Sequence, residues 1–332
     1  MEFNQLIIKN FGPLKNISIE IKDIMIFIGP QASGKSTLAK ILSIISGETL
    51  LGKTETEFHQ IFKDKHINFF SDETLISYGQ SYIYKNCKLN NSRIKNSELK
   101  PLYIPAERIL VSMLSESMMG MMANKIAIPD FILQFGSSFE IARKQLDSLN
   151  IEPLNVTYRF ENGIDKIYLP NNKELPLSQT ASGLQAAIPL YVILKYFSSK
   201  QAQIFAIEEP ELNLYPETQK NIVEYIIQQC TYKNNKLVIT THSPYILTAL
   251  NNLIQAHNVV KAKPFLKEKV NKIVSSDKWL DFERVAVYSI ENGNARNMMN
   301  EELKVIDATI IDEVSEKLGE EFEQLLDLEY DE

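Results

Sequence analysis

The stretch Gly29-Pro30-Gln31-Ala32-Ser33-Gly34-Lys35-Ser36 matches the phosphate-cradling spacing G-x-x-x-x-G-K-[ST] at every fixed position. Its glycines let main-chain amides close around the phosphates of a nucleotide, the Lys35 ammonium reaches the β and γ phosphates as a point charge, and the Ser36 hydroxyl suits magnesium. Thr37 continues into the helix that such a loop must open. Two carboxylates stand at the end of the apolar run Ile204-Phe205-Ala206-Ile207-Glu208-Glu209. Apart from a glycine loop they would read as exposed acids at a strand end. Beside one, they read as a metal-side acid, Glu208, and a general base, Glu209, because water attacks a phosphoryl group only with help. A further apolar run, Leu237-Val238-Ile239-Thr240-Thr241, ends at His242, one of four histidines. An imidazole there can meet a γ phosphate or orient the water and Glu209.

Ser182 and Gly183 stand directly ahead of an apolar stripe formed by Leu184, Ala187, Ile188, Tyr191, Leu194 and Phe197. Serine and glycine at a helix N-terminus present a hydroxyl and free amides to an anion. Ordinary helix capping by Ser182 accounts for the same residues.

These groups need a sheet to hold them. Ile24-Met25-Ile26-Phe27-Ile28 reads as a buried strand feeding the glycine loop, with Leu38, Ala39, Ile41, Leu42 and Ile45 at helical spacing after it. Upstream, Gln5 to Lys9 and Ile17 to Ile21 read as a hairpin turned at Asn10-Phe11-Gly12-Pro13. Downstream, helices over 182–197, 216–229 and 244–253 alternate with strands over 203–208 and 236–241, which predicts a largely parallel sheet with its ligand at the carboxyl ends of the strands. Between these runs lie short strands near 74–78 and 81–84, a strand from Pro101 that delivers Glu107 and Arg108, a helical segment over 109–150 rich in methionine (Met113, Met118, Met119, Met121, Met122), and a hairpin turned at Glu161-Asn162-Gly163. A second Glu-Asn-Gly turn follows the strand Val285 to Ile290.

At 332 residues, 44% of them hydrophobic, the chain can bury a sizeable core. No run approaches the roughly 20 apolar residues of a membrane span, and Met1 to Gln5 lacks the flank and core of a signal peptide, so a cytoplasmic location is expected. Cys87 and Cys230 have no metal-site spacing. The net charge of −7 is uneven: residues 301–332 hold 13 acidic and 2 basic side chains, which leaves +4 on the rest. Bulk charge makes no case for nucleic acid, although Lys85, Lys88, Arg93, Lys95 and Lys100 form a local cluster able to meet phosphates. In the tail, Ile311, Val314, Leu318, Phe322 and Leu325 recur at helical spacing, a face for a partner or for the chain's own core.

Taken in order, the glycine loop, the Ser182-Gly183 element, the strand with Glu208-Glu209 and the strand with Thr241-His242-Ser243-Pro244 resemble the ABC-type ATPase family. Ile7 to Pro13 and Glu209-Pro210-Glu211-Leu212-Asn213-Leu214-Tyr215-Pro216 resemble its soluble branch, which takes in chromosome-maintenance and recombination-repair ATPases, OLD-type proteins and the AAA-type ATPases of phage-defence systems. The resemblance covers 1–50 and 177–255 well. It implies an α/β fold, an ABC-ATPase head with a mixed, largely parallel sheet, an N-terminal antiparallel β portion and a helical insertion. It divides the chain into 1–108 with the glycine loop, 109–176 with the helical insertion and hairpin, 177–260 with the second half of the ATPase core, and a C-terminal extension over 261–332.

The same resemblance implies ATP and Mg2+ as cofactors, hydrolysis to ADP and phosphate, and a head-to-tail homodimer or higher oligomer. Two ATP molecules would be sandwiched in it, Ser182 and Gly183 of one subunit capping the γ phosphate held by Lys35 and Ser36 of the other, with Glu211 to Leu214 crossing the interface. The sequence departs from the family at several points. Glu208 replaces an aspartate, the signature lacks a leucine and a second glycine, and the glutamine-loop position falls to Glu107 or Gln80. No heptads run between the halves, which excludes a long coiled-coil arm. The expected function is an ATP-hydrolysing switch that works with a protein effector such as a nuclease, in phage defence or DNA repair, with nucleic acid as a further contact. The sequence shows no metal-nuclease cluster, which assigns the nuclease to a partner. The alternatives are the nucleotide-binding subunit of a membrane transporter and a nucleotide sensor without turnover.

Overall fold

The computed structural model describes residues 4–47, 50–79, 81–90, 99–114, 124, 127–171, 173–200, 202–231, 234–307, 319–326 and 328. Gln80, Arg93, Lys95, Met118, Met119, Met121, Met122, Ile311, Val314 and Leu318 lie outside the described residues.

The chain opens with the hairpin β1 (Gln5–Phe11) and β2 (Leu14–Glu20), in which Phe11 pairs with Leu14. The turn is shorter than the four residues expected, because Gly12 takes a left-handed φ of 54° and closes it in two. β3 (Ile24–Ile28), buried along its whole length, runs through the glycine loop into α1 (Lys35–Gly47). α2 (Glu55–Asp64) follows, started by a capping box between Thr54 and Glu57. Then come β4 (Leu75–Tyr78), β5 (Ser81–Lys85), β6 (Lys88–Leu89) and β7 (Lys100–Ile104). The middle of the chain forms α3 (Ile109–Leu114), α4 (Asp130–Arg143) and a separate antiparallel sheet of β8 (Leu149–Ile151), β9 (Val156–Glu161), β10 (Ile164–Tyr168) and β11 (Glu174–Pro176). Arg143 ties α4 to that sheet, donating to Asp165 at 2.6 Å with its guanidinium 4.3 Å from the Phe160 ring centre.

The second half alternates as its pattern predicts: α5 (Ser182–Phe197), β12 (Gln203–Glu208), α6 (Pro216–Cys230), β13 (Lys236–Thr241) and α7 (Pro244–Ala262). α8 (Lys267–Asn271) leads to the hairpin β14 (Val285–Glu291) and β15 (Asn294–Asn297), and a small ribbon pairs β16 (Met299–Asn300) with β17 (Val305–Ile306).

Among the described residues the main sheet has 11 strands in the order β6-β5-β4-β1-β2-β15-β14-β3-β13-β12-β7. From β14 to β7 every neighbour is parallel, and from β6 to β2 every neighbour is antiparallel. α1 packs on β7, β12 and β13. The parallel strands are nearly uninterrupted runs of buried apolar residues, as strands covered on both faces must be. One segment sits elsewhere than expected. The region 261–332, read as an extension, places β14 inside the core, parallel to β3 with Val285 opposite Ile24 and Ser289 opposite Ile28. Six buried residues in a row, Val285 to Ile290, make it a central strand.

Candidate active site

β3, β13 and β12 are parallel neighbours, so the residues that follow them meet on one edge of the sheet. Gly29 ends β3 at φ 147°, and a Cβ there would stand 2.3 Å from the Ile290 carbonyl oxygen of β14. Only glycine lets the loop leave the sheet that close to its neighbour. Pro30, Gln31 and Ala32 form the exposed tip, Ser33 and Ser36 are half-buried, and Gly34 and Thr37 are buried. Lys35, 4% exposed, folds back into the loop, its Nζ donating to the Gly29 carbonyl at 3.0 Å, the Pro30 carbonyl at 2.7 Å and the Ser33 hydroxyl at 3.4 Å. Burial lowers its pKa, and Glu209, Glu211 and Glu208 oppose that shift.

Glu208 and Glu209 are adjacent in sequence and unlike in surroundings. Glu208 closes β12 at 4% exposure, and among the described residues its Oε1 has no hydrogen-bond partner. Burial raises its pKa against the pull of the Tyr103 hydroxyl, Lys40 and Ser36, with Glu107 adding to the rise. The Tyr103 hydroxyl is also buried without a hydrogen-bond partner among the described residues, near enough to act on the charge without reaching bonding geometry. An orphaned buried carboxylate oxygen with the Ser36 hydroxyl close by fits a divalent cation, and an all-oxygen donor set is the one magnesium takes.

Glu209 turns away from the strand at φ 43°, a left-handed conformation that costs a glutamate about 1–3 kcal/mol. Arg108, wholly buried, holds that turn. Its Nη1 donates to the Glu208 carbonyl at 2.8 Å and the Pro105 carbonyl at 3.2 Å, and its Nη2 to the Glu209 carbonyl at 2.7 Å. Hydrogen bonds from a charged donor are worth about 1.5–3 kcal/mol each, so they outweigh the strain of one residue. Burial brings the Arg108 pKa down to about 10, opposed by Glu211, Glu209, Glu208 and Glu107, so the guanidinium stays charged at neutral pH.

The Glu209 carboxylate meets His242, with Oε1 3.0 Å from Nε2, and His242 Nδ1 lies 3.5 Å from Lys35 Nζ. An ammonium only donates, so Nδ1 is the acceptor and the ring proton is assigned to Nε2, which donates to Glu209. Glu211 pins the turn beneath. Its Oε1 accepts from the Thr241 hydroxyl at 2.6 Å and from the His242 amide at 2.8 Å. Ser243 caps α7 by accepting from the Tyr245 amide, and it donates to Gln219, whose amide group donates in turn to the Leu214 carbonyl. Side chains at both ends of the 208–219 connection thus fix the histidine turn.

Lys35, Ser36, Glu208, Glu209 and His242 are therefore brought together. Among the described residues, Ser182 and Gly183 make no hydrogen bond to residues 29–36. Capping by Ser182 does not occur: Ala181 holds the N-cap position without a side-chain bond, and Ser182 is the first helical residue, exposed. Gly183 instead lies against the 211–215 loop, where a Cβ would stand 2.7 Å from the carbonyl oxygen of Asn213, itself at φ 61°. Glu107 is exposed in a short turn beyond β7 and acts on Glu208 only through its charge. The sequence did not reveal Arg108, Tyr103 or Gln219 as parts of the site, nor the inward task of Glu211. The one available signal was Arg108 itself, an arginine between the apolar runs 102–105 and 109–111.

No helix among the described residues is long and apolar enough to cross a membrane. A curated relative, the endonuclease GajA of Bacillus cereus (strain VD045), is 24% identical over 237 residues, 65% of this chain and 38% of that protein, so the chain spans well under half of its length. Among solved structures, an SMC head bound to the C-winged helix domain of ScpA aligns over 89% of this chain and 96% of that one, with a TM-score of 0.43 at 11% identity. The SMC head domain from Thermotoga maritima aligns over 91% and 100%, with a TM-score of 0.39 at 12% identity. Likenesses this distant say nothing about activity. A family model described as an AAA ATPase domain matches residues 1–127 and 123–247, well over half of the sequence, and the chain belongs to that family.

Proposed function

We propose that the chain binds and hydrolyses ATP with magnesium and acts as a switch, pairing head to tail around two ATP molecules and separating when they are hydrolysed. The observation that carries this reading is the 3.0 Å contact between Glu209 and His242 beside Lys35, at the ends of β3, β13 and β12. In it, Lys35 exchanges the Gly29 and Pro30 carbonyls for phosphate oxygens, and the amides of residues 29–37 line the phosphates. Ser36 and Glu208 hold magnesium, which neutralises phosphate charge when bound. Glu209 takes the proton of the attacking water as the new bond to the γ phosphorus forms and the bond to the bridging oxygen of ADP breaks. His242 holds the Glu209 carboxylate in place through Nε2–H. A positioned base of this kind contributes about 10²–10⁴-fold in rate.

Ser182 and Gly183 complete the reading across the dimer, supported by their place at the exposed N-terminal turn of α5. The partner effector is a nuclease, in phage defence or DNA repair in the cytoplasm. The endonuclease named among the relatives, of which this chain matches 38%, supports it. Phosphate release and solution mass, measured with Mg–ATP for wild type and Glu209→Gln, test the proposal. The variant should lose about 10²–10⁴-fold in turnover and accumulate as a dimer. A wild type without turnover, or a variant as fast as wild type, refutes it.

A further inference from the structure

The Glu208–Glu209 turn and the Ser182 end of α5 belong to different composite sites in the proposed dimer, yet one side chain joins them within each subunit. While Nη1 and Nη2 of Arg108 hold the Glu208 and Glu209 carbonyls, Nε donates to the Ala186 carbonyl of α5 at 3.0 Å. Ser112, in α3 just beyond it, donates its hydroxyl to the Gln185 carbonyl at 2.7 Å. That carbonyl needs an outside donor because Pro189 lies inside α5. In a regular helix the amide of residue 189 would serve Gln185, and proline has none. The Gln185 side chain then reaches back to the Ser178 and Thr180 carbonyls, fixing the loop ahead of Ser182.

Arg108, Ser112 and Ala186 are all buried, and every bond in this set ends on a main-chain oxygen. The linkage therefore acts on backbone position and not on side-chain chemistry. A guanidinium suits it because its donors lie in one rigid plane, so displacing the carbonyls at one edge displaces the oxygen held at the other. An ammonium cannot transmit a displacement in this way, since it is a single point on a flexible stem.

We infer that Arg108, supported by Ser112, is a strut that passes the nucleotide state of the Glu208–Glu209 turn to the Ser182 end of α5 in the same subunit. This rests on the roles proposed above for Glu209 and Ser182, and Arg108 is a positioning residue that touches no nucleotide. A subunit with its own loop filled would then present a differently set Ser182 element to its partner, which couples the two sites.

Amide hydrogen exchange tests the strut on the full chain, with and without magnesium and the non-hydrolysable analogue AMP-PNP, at a protein concentration where light scattering reports monomer. Exchange over residues 181–190 should slow at least fivefold in wild type when the analogue binds. Arg108→Lys, measured at a concentration of the analogue that saturates it in a titration with a fluorescent ATP analogue, should show less than twofold slowing. Ser112→Ala should fall between the two, and it decides the matter if Arg108→Lys does not fold. Slowing equal to wild type in whichever variant decides, at full nucleotide occupancy, overturns the strut, as does a wild type that binds without slowing. Turnover plays no part in this readout, so a failure of the hydrolysis proposal would appear separately, in phosphate release.

Discussion

The two ends of the candidate site are built by opposite means. At the Lys35 end the groups that would meet phosphate and water have internal partners, while Glu208 keeps an oxygen open: the ammonium rests on three loop oxygens, His242 bridges Lys35 and Glu209, and Glu211 pins the backbone of His242. At the Ser182 end the helix begins on a turn without a side-chain cap, where Ser182 is exposed and Gly183 lies against the Asn213 carbonyl. The first is preorganised by a single chain. The second leaves Ser182 open to solvent.

Mixing two broken proteins tests this contrast most severely. Lys35→Ala should lose at least about 100-fold in turnover, in line with the removal of a charge that stabilises the transferring phosphoryl group. Ser182→Arg should lose a similar amount while binding nucleotide normally. An equimolar mixture should regain about a quarter of wild-type phosphate release, because random pairing leaves one intact composite site in half of the dimers. A mixture as inactive as its components would show that the two ends do not meet across subunits.

Next in size, His242→Ala should lower kcat about 100-fold with KM for ATP nearly unchanged, as expected of a group that orients the base. A rise in KM with kcat intact would instead make His242 a binding residue. Gly183→Ala should cost about 1–3 kcal/mol in denaturant unfolding, since its Cβ must displace a main-chain oxygen. Wild-type stability there would mean that the Asn213 loop yields freely.

The smallest effect concerns Glu208. Its pKa is raised in the folded state, chiefly by burial, so the folded protein binds its proton more tightly than the unfolded chain does. That contribution to stability is fully present below the ordinary carboxylate pKa and is lost as pH rises through the raised one. Glu208→Gln has nothing to ionise. Without nucleotide or magnesium it should melt above wild type at neutral pH, with the gain vanishing in acid. A variant that melts lower at neutral pH would show that the carboxylate is stabilised by its neighbours, against the raised pKa.

The sequence made the strands around the nucleotide loop legible because they are short apolar runs with chemistry at their ends, and local pattern suffices to place such residues. It also showed β14 to be a strand, but not where it lies. Its parallel pairing with β3 spans about 260 residues and leaves no local mark of the partner, whereas a hairpin such as β9–β10 announces its pairing through Glu161-Asn162-Gly163. Arg108 was illegible for a related reason. A side chain that bonds main-chain oxygens has no complementary residue type to find. Ser182 left two readings open by type, a helix cap or an anion contact, and only the backbone removes the cap, since the helix starts one residue too early for it.

The seat of β14 beside β3 also has a consequence for biosynthesis. The strand that carries the nucleotide loop, β3, leaves the ribosome well before its two neighbours in the sheet, β13 and β14, which end near residues 241 and 291. At about 5–20 residues per second, roughly 15–50 s separate the emergence of β3 from that of β14. For that interval an apolar strand waits with an open edge, a surface that invites pairing with other chains. The nascent protein is thus most vulnerable to aggregation in the very segment on which its nucleotide site depends, and chaperone protection would matter most before residue 291 is made.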